Sequence, residues 1–470
     1  MNAEPVPPGL PAPSTGLPAP PAGPPRLARR LSVSGRLVAA GAALAAVVTR
    51  GPGLSRPRIL VFDEIYYALQ AQEIATGGVE VGHTVHPPLG KWLLAIGVRI
   101  FGFTPFGWRI VPLLAGGVVA AMTVVAAGRM TRRIGLVTLA AVLVLTDGIA
   151  FTTGRLALLD GLLAAFTTAA LAVLLHGASR PLDAPLHRRV TWSAALLLGA
   201  AVAVKWSAVP LVGVAIVVVT ALAFEVWPAG PDRRRAVARR AAVLTLVPLA
   251  LYAASYVPTL VAFGDSGVRR EVCSGAPAGC HDSLVGRITA VAIDQARVWR
   301  FHRDLRPTNR YAASGSTWLL QTHPTGLLVS TCDGRADPVC APGDRGVVRR
   351  IMAVGNPVLW LAGGLAIVGT ALLALRRRDP IDLVLALAGA AWWLPWILGR
   401  RPGYAFYGVT LVPVWSLALV RLLDRSPPRA RHVASAVLIG LAVMGAVALY
   451  PVWTARPTAP DFLFSWFRDT

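Results

Sequence analysis

Apolar residues run in long stretches along most of this chain, each closed by a cluster of arginines or by a Gly/Pro-rich turn. A helix rises ~1.5 Å per residue, so ~20 apolar residues match the ~30 Å hydrocarbon layer of a bilayer. The stretches that predict spans are Leu31–Thr49, Trp108–Gly128, Ile134–Phe151, Leu156–Leu175, Val190–Val204, Ser207–Trp227, Ala241–Phe263, Pro357–Leu375, Ile381–Leu398, Tyr404–Val420 and His432–Pro451. They describe an all-α polytopic membrane protein of about eleven transmembrane helices. Lys91–Phe103 is apolar but short, and it carries Lys91 and Arg99. It reads as an amphipathic helix lying on the membrane surface.

Composition agrees with that class: 470 residues, 55% hydrophobic and 15% charged, with a mean hydropathy of +0.58. The net charge of +23 raises the question of nucleic acid, and its placement excludes that partner. Arginines gather in alternate connections: Arg129, Arg132 and Arg133; Arg180, Arg188 and Arg189; Arg233 to Arg235 with Arg239 and Arg240; Arg376 to Arg378; and Arg421, Arg425, Arg429 and Arg431. By the positive-inside bias these connections are cytoplasmic, and the N-terminus with them. Segments 51–107 and 263–356 and the tail 453–470 are then exoplasmic. Had Lys91–Phe103 crossed, Arg129, Arg132 and Arg133 would fall outside.

Residues 1–25 are rich in Pro, Ala and Gly, so segment 1–30 is expected to be a disordered cytoplasmic tail ahead of a membrane domain over 31–452. The four cysteines, Cys273, Cys280, Cys332 and Cys340, all fall in the segment 263–356. That confinement suits disulfides in an oxidising compartment; the pairs Cys273–Cys280 and Cys332–Cys340 would close small loops, and three connectivities are open. A zinc site is the competing reading, and the spacings are wide for one.

Charged residues that topology does not require collect at the predicted outer boundary. Asp63 and Glu64 follow the first span, where carboxylates near hydrocarbon invite a functional reading. The alternative is that Asp63 caps a helix ended by Gly77-Gly78. His86-Pro-Pro-Leu-Gly-Lys91 comes next, then Arg109, Arg155, Asp160, Lys205, Arg400 and Arg401. Only two of the 46 basic residues are lysines, Lys91 and Lys205. Each suits a phosphate or carboxylate contact, or else snorkels at the interface. Asp160 is placed to neutralise Arg109 or Arg155.

Taken in order, Phe62-Asp63-Glu64, His86-Pro87-Pro88-Leu89-Gly90-Lys91, Trp108-Arg109, Arg155 to Asp160, Lys205-Trp206-Ser207, Trp393-Leu-Pro-Trp396 and Phe406-Tyr407 resemble the bacterial protein O-mannosyltransferases of the GT-C class. The resemblance runs from about residue 36 to 452. It implies a GT-C fold and a polyprenyl-phosphate-mannose donor drawn from membrane lipid. It also implies Ser/Thr acceptors on translocating secretory proteins, with the Sec translocon as a candidate partner, and a bacterial plasma membrane location. Inverting transfer needs a base for the acceptor hydroxyl, and Asp63 is assigned that role, with Glu64 orienting acceptor or sugar. Arg50 and Arg109 lead as phosphate ligands, followed by Lys91, Arg155 and Lys205, with His86 positioning its turn or bonding a ligand. No metal or other cofactor is obligatory, because a phosphate monoester leaves readily. The large loop reads Trp299-Arg-Phe-His302-Arg, as in the family, but departs from it at Asn309 to Trp318, which leaves the acceptor open. Two rivals are a GT-C enzyme acting on a lipid or polysaccharide acceptor, and a transporter.

Overall fold

The computed structural model describes residues 32–82, 84–180, 183–226, 229–274, 280–305, 311–399, 401 and 403–462. The expected tail at 1–30 and the candidate Arg400 lie outside the described residues. In chain order the helices that carry the membrane domain are α1 (Val33–Arg50), α4 (Pro105–Met130), α5 (Ile134–Leu145), α6 (Gly148–Thr153), α7 (Leu159–Ala178), α8 (Ala184–Val204), α9 (Val209–Val226), α10 (Pro231–Ala254), α14 (Pro357–Arg377), α15 (Pro380–Leu398), α16 (Leu411–Asp424) and α17 (Pro428–Trp453). Between them lie α2 (Glu64–Gly77) and α3 (Leu89–Phe101) in the first loop, and α11 (Val257–Val261), α12 (Gly267–Cys273), α13 (Leu284–Asp304) and the strands β1 (Thr325–Cys332) and β2 (Val347–Ala353) in the large one. A short β3 (Pro457–Thr458) follows α17.

Among the described residues, nine helices are long and apolar enough to cross a membrane. Two predicted spans depart from that description. The stretch Ile134–Phe151 is broken, because Asp147 leaves the helix to accept the Ala150 amide at 2.9 Å and start α6. The same carboxylate accepts the Asn356 amide at 2.9 Å and the Trp360 indole at 2.7 Å, which ties α6 to α14. A buried carboxylate needs such donors, and they compete with continuing the helix. In α8, His187, Arg188 and Arg189 occupy the first two turns, and Asp183 caps them through the Leu186 amide at 2.7 Å.

Other boundaries shift for local reasons. Helix α10 starts at Pro231, not at Ala241, because proline suits the first turn and the arginines can extend into solvent from a helix. The late span expected at Tyr404–Val420 begins as a 3-10 turn, Ala405–Thr410, before α16. Helices α7 and α16 are the most enclosed, while α10 and α17 expose most of their apolar surface, as lipid-facing helices do.

The loops build a lid of ordered structure at one end of the helices. Amphipathic α3 lies where a surface helix was predicted, at Leu89–Phe101. Lys91, buried in it, forms an ion pair with buried Glu80 and donates to the His86 carbonyl at 2.9 Å, which closes the His-Pro-Pro turn. Helix α13 docks onto this loop. Thr84 donates to Asp294 at 2.9 Å, Arg297 pairs with Asp294 at 2.8 Å, and His302 Nε2 donates to the Val85 carbonyl at 2.8 Å. Strands β1 and β2 form an antiparallel hairpin from Thr325↔Ala353 to Cys332↔Val347, and β3 adds to β2 through Val348↔Thr458. The cysteines pair locally, Cys273 with Cys280 and Cys332 with Cys340. The Thr325 hydroxyl accepts the Ala405 amide at 2.9 Å, which seats the hairpin against the turn that opens α16.

Candidate active site

Asp63 occupies the N-cap position of α2, yet its side chain makes no capping bond. The capping alternative therefore fails, and another environment holds the carboxylate. Half-buried, it takes a hydrogen bond from Tyr67 and sits within electrostatic reach of Lys205 and Asp160. Burial is the largest influence and pushes its pKa up to about 6; Lys205 and the Tyr67 bond pull the other way, while Asp160 adds to the rise. The phenol of Tyr67 is itself pushed up, chiefly by burial and then by Asp63, so it stays a donor. Phe62, immediately before, adopts a left-handed backbone with φ of 50°. That costs a non-glycine residue roughly 1–2 kcal/mol. Edge-on packing against Tyr404 at 5.8 Å and Phe406 at 5.7 Å holds it there, and so aims the next residue.

Glu64 and Arg109 were expected at the chemistry, and the structure commits them to each other. Arg109 Nε and Nη2 bond the two Glu64 oxygens at 2.8 and 2.7 Å. Its remaining N–H groups donate to the carbonyls of Leu54 (3.1 Å), Pro57 (2.9 Å) and Ile59 (3.1 Å). A guanidinium has five N–H donors, and all five are used. Glu64, fully buried, also accepts the amides of Val61 at 3.0 Å and Ala157 at 2.9 Å, which fills its lone pairs. The pair is a clasp that folds the first loop onto α4 and the start of α7.

Arg50 and Arg155 are also turned inward. Arg155 donates to the carbonyls of Arg50, Pro52 (2.9 Å) and Gly53 (3.0 Å), holding the exit of α1. Arg50 is buried among Gly116, Thr153 and Gly154, with its guanidinium 5.4 Å from the Phe151 ring centroid. Asp160 neutralises neither Arg109 nor Arg155, contrary to the expectation from spacing. Its partner is Lys205, whose ammonium bonds both carboxylate oxygens at 2.9 Å and lies 4.3 Å from the Tyr407 ring centroid.

Lys205 opens a cleft of about 220 Å³ beside Asp63, lined among others by His86, Ser207, Trp299, His302, Trp396, Arg401 and Tyr407. Arg401 brings a second cation, and its buried Nε has no hydrogen-bond partner among the described residues. His302 stacks on His86 with centroids 5.3 Å apart. Burial first, then Arg401, lowers His302 to about 4, and burial with Lys205 drives His86 well below its ordinary value, so both rings are neutral at pH 7. Since His302 Nε2 donates to Val85, its buried Nδ1 is a bare acceptor. Trp392 lines the cleft and also an apolar cavity between α7, α8, α9 and α15 that descends among the helices. The cleft thus combines two cations and neutral hydrogen-bonding rings, with the half-buried acid Asp63 in electrostatic reach of its Lys205 and a small apolar cavity behind Trp392. Such a site suits an amphiphile with an anionic head.

A family model described as dolichyl-phosphate-mannose–protein mannosyltransferase matches residues 104–263. The polyprenol-phosphate-mannose–protein mannosyltransferase of Mycobacterium tuberculosis is 30% identical over 452 residues, spanning 84% of this chain and 83% of that protein. The chain belongs to this family. It is a membrane glycosyltransferase. The yeast protein O-mannosyltransferase Pmt1–Pmt2 complex bound to the sugar donor matches with a TM-score of 0.71 at 14% identity, over 92% of this chain and 91% of that one. ArnT from Cupriavidus metallidurans bound to undecaprenyl phosphate gives 0.55 at 19% identity, over 93% of this chain and 68% of that one. These likenesses establish the GT-C fold.

Of the residues expected from sequence, the mannosyltransferase brings Asp63, His86, Lys205, Asp160 and Arg401 to one place. Lys91, Arg50, Arg109, Arg155 and Glu64 support that place from behind. Sequence reasoning did not assign site roles to Tyr67, His302 or Tyr407, nor did it find Glu80. For Tyr67 a signal existed: it lies four residues after Asp63, one helical turn on. Glu80 carried none, because its partner Lys91 is reached only through the turn between them.

Proposed function

We propose that the enzyme transfers mannose from polyprenyl-phosphate-mannose to Ser or Thr hydroxyls of secreted polypeptides at the outer face of the bacterial membrane, with inversion. The observation that carries this is the uncapped, half-buried Asp63 carboxyl within electrostatic reach of Lys205, which lines a cleft together with Arg401. The names of the curated relatives supply donor and acceptor class.

In the step proposed, the acceptor oxygen attacks the anomeric carbon and its proton passes to an Asp63 oxygen. The bond from that carbon to the phosphate oxygen breaks, and the phosphate leaves with the electron pair. The electron pair of the broken carbon–oxygen bond then adds a negative charge to the phosphate, where Lys205 and Arg401 stabilise it. Asp160 holds Lys205 in place, Tyr67 orients the base, and His302 Nδ1 is available to a sugar hydroxyl. The prenyl chain would leave the cleft on the Trp392 side, against the apolar helices. The arginine-rich ends of the spans lie at the other side of the membrane domain, which supports an exoplasmic cleft and a cytoplasmic N-terminus. Nothing in this step requires a metal, and secretion through the Sec translocon would deliver the acceptor unfolded.

The test is a membrane assay with radiolabelled polyprenyl-phosphate-mannose and a Ser/Thr-rich peptide. Label in the peptide supports the reading. Label found only in lipid or glycan would assign the enzyme to another acceptor class.

A further inference from the structure

Helix α13, in the large loop, leaves an apolar face uncovered. Leu284, Val285 (74% exposed), Ile288 (50%) and Trp299 (60%) stand on it with exposed Ala292 and Ala296. These positions recur every three or four residues, so they share a sector of roughly 120° at ~100° per residue. The other side of the helix is committed to protein. Ala290, Asp294 and Val298 are buried there, and Arg297 and Asp294 both bond the Thr84 hydroxyl of the first loop. A continuous exposed apolar face of this kind marks an interaction surface.

Hydrogen bonds fix the level at which this face lies. Tyr252, in the last turn of the span α10, donates to Gln295 Oε1, and Tyr256 donates to the same oxygen at 3.2 Å. The Trp206 indole, between the ends of α8 and α9, donates to the Tyr252 hydroxyl at 3.0 Å. Arg287 Nη1 donates to the Leu260 carbonyl of α11 at 2.7 Å, and Val257 and Val261 of that short helix are exposed. Helix α13 is thus tied to the end of a span, at the depth where Trp and Tyr gather in membrane proteins. Gln295 stands seven residues after Ile288 and four before Trp299, so it projects from the same side as they do. The end of α10 therefore meets α13 on its apolar side, and the first loop meets it on the other. Since α10 itself exposes most of its apolar surface, the face of α13 continues a lipid-facing surface.

We propose that α13 rests in the headgroup–acyl boundary of the leaflet on the cleft side, with phospholipid covering its apolar face. An amphipathic helix in that position buries its apolar side ~5–10 Å into the boundary. Trp299 belongs to this face and also lines the cleft, as does His302 three residues on. The lipid seat therefore carries one wall of the cleft. The surface takes no part in the transfer chemistry, so it stands or falls apart from the proposed reaction.

The test places a nitroxide label on the helix. All four native cysteines are paired, so a cysteine introduced by Val285→Cys, Ile288→Cys or Ala292→Cys is labelled alone. In phosphatidylglycerol/phosphatidylcholine nanodiscs holding one enzyme each, collisions of the label with oxygen are compared with those with a water-soluble nickel complex. All three positions should favour oxygen and read a depth of ~5–10 Å. The lipid reference is Val447→Cys, 70% exposed on α17, and the water reference is Arg300→Cys, exposed beyond the apolar sector. Each position carries the prediction by itself, so one variant that folds poorly leaves two. Collisions that favour nickel as strongly as at Arg300→Cys would overturn the proposal. So would protection from both reagents, which would show protein covering the face in place of lipid.

Discussion

Replacing Glu64 by Gln should damage the fold of the first loop, whereas the same change at its neighbour Asp63 should not. Glu64 accepts four hydrogen bonds, two from Arg109 and one each from Val61 and Ala157. A glutamine amide accepts on one atom only. Its NH2 group would face two donors, and the fully used guanidinium would lose its counter-charge. Neutralising one member of a buried pair costs about 3–5 kcal/mol. Asp63 is half-buried, with the Tyr67 hydroxyl as its donor, so Asp63→Asn should cost about 1 kcal/mol or less. The assay is detergent unfolding of purified protein, followed by tryptophan fluorescence, for the wild type, both variants, Arg109→Gln and the Glu64→Gln/Arg109→Gln double variant. The double variant should lose less than the sum of the singles by about 1–3 kcal/mol, because the second change removes a charge already left alone. A Glu64→Gln enzyme as stable as the wild type but devoid of transfer would refute this, and would return Glu64 to the reacting atoms.

Further consequences can be measured on the same preparations. Asp63 works as a base only when ionised, so with its pKa near 6 kcat/KM should fall roughly tenfold per pH unit below that value and level off above pH ~7; a profile flat from pH 5 to 8 in the wild type would exclude Asp63 as the titrating base. Arg401→Gln should reduce kcat/KM for the lipid-linked donor by about tenfold or more while leaving unfolding nearly unchanged, since its Nε holds no protein partner among the described residues.

Much of the membrane domain is legible in apolar run length alone, because hydrocarbon thickness constrains helices so tightly. The helix α3 was legible too, although Lys91, read there as a charge that opposes crossing, is buried against Glu80. Two details were not. Asp147 breaks a run that reads as continuous, and its reason is distant: Asn356 and Trp360 approach from another helix. The arginine-rich start of α10 reads as loop because charge was taken to mark the end of a helix and not only of the membrane. At the site, residue type and order located the cleft, but division of labour among the charges depended on pairings across the fold. In sequence Arg109 ranks ahead of Arg401 as a phosphate ligand. Only the geometry reveals that every donor of the first is consumed by Glu64 and three carbonyls, while the second lines the cleft.

The most direct measurement compares donor binding and single-turnover transfer for wild type and Asp63→Asn, each loaded with radiolabelled polyprenyl-phosphate-mannose and mixed with a Ser/Thr-rich peptide. The side-chain amide introduced by Asp63→Asn cannot take the hydroxyl proton, yet it leaves Lys205 and Arg401 in place. Donor affinity within a few-fold of wild type with peptide labelling slowed at least about a thousandfold is the expected result. Labelling at the wild-type rate by a donor-saturated Asp63→Asn enzyme would contradict the assignment of this carboxylate as the base.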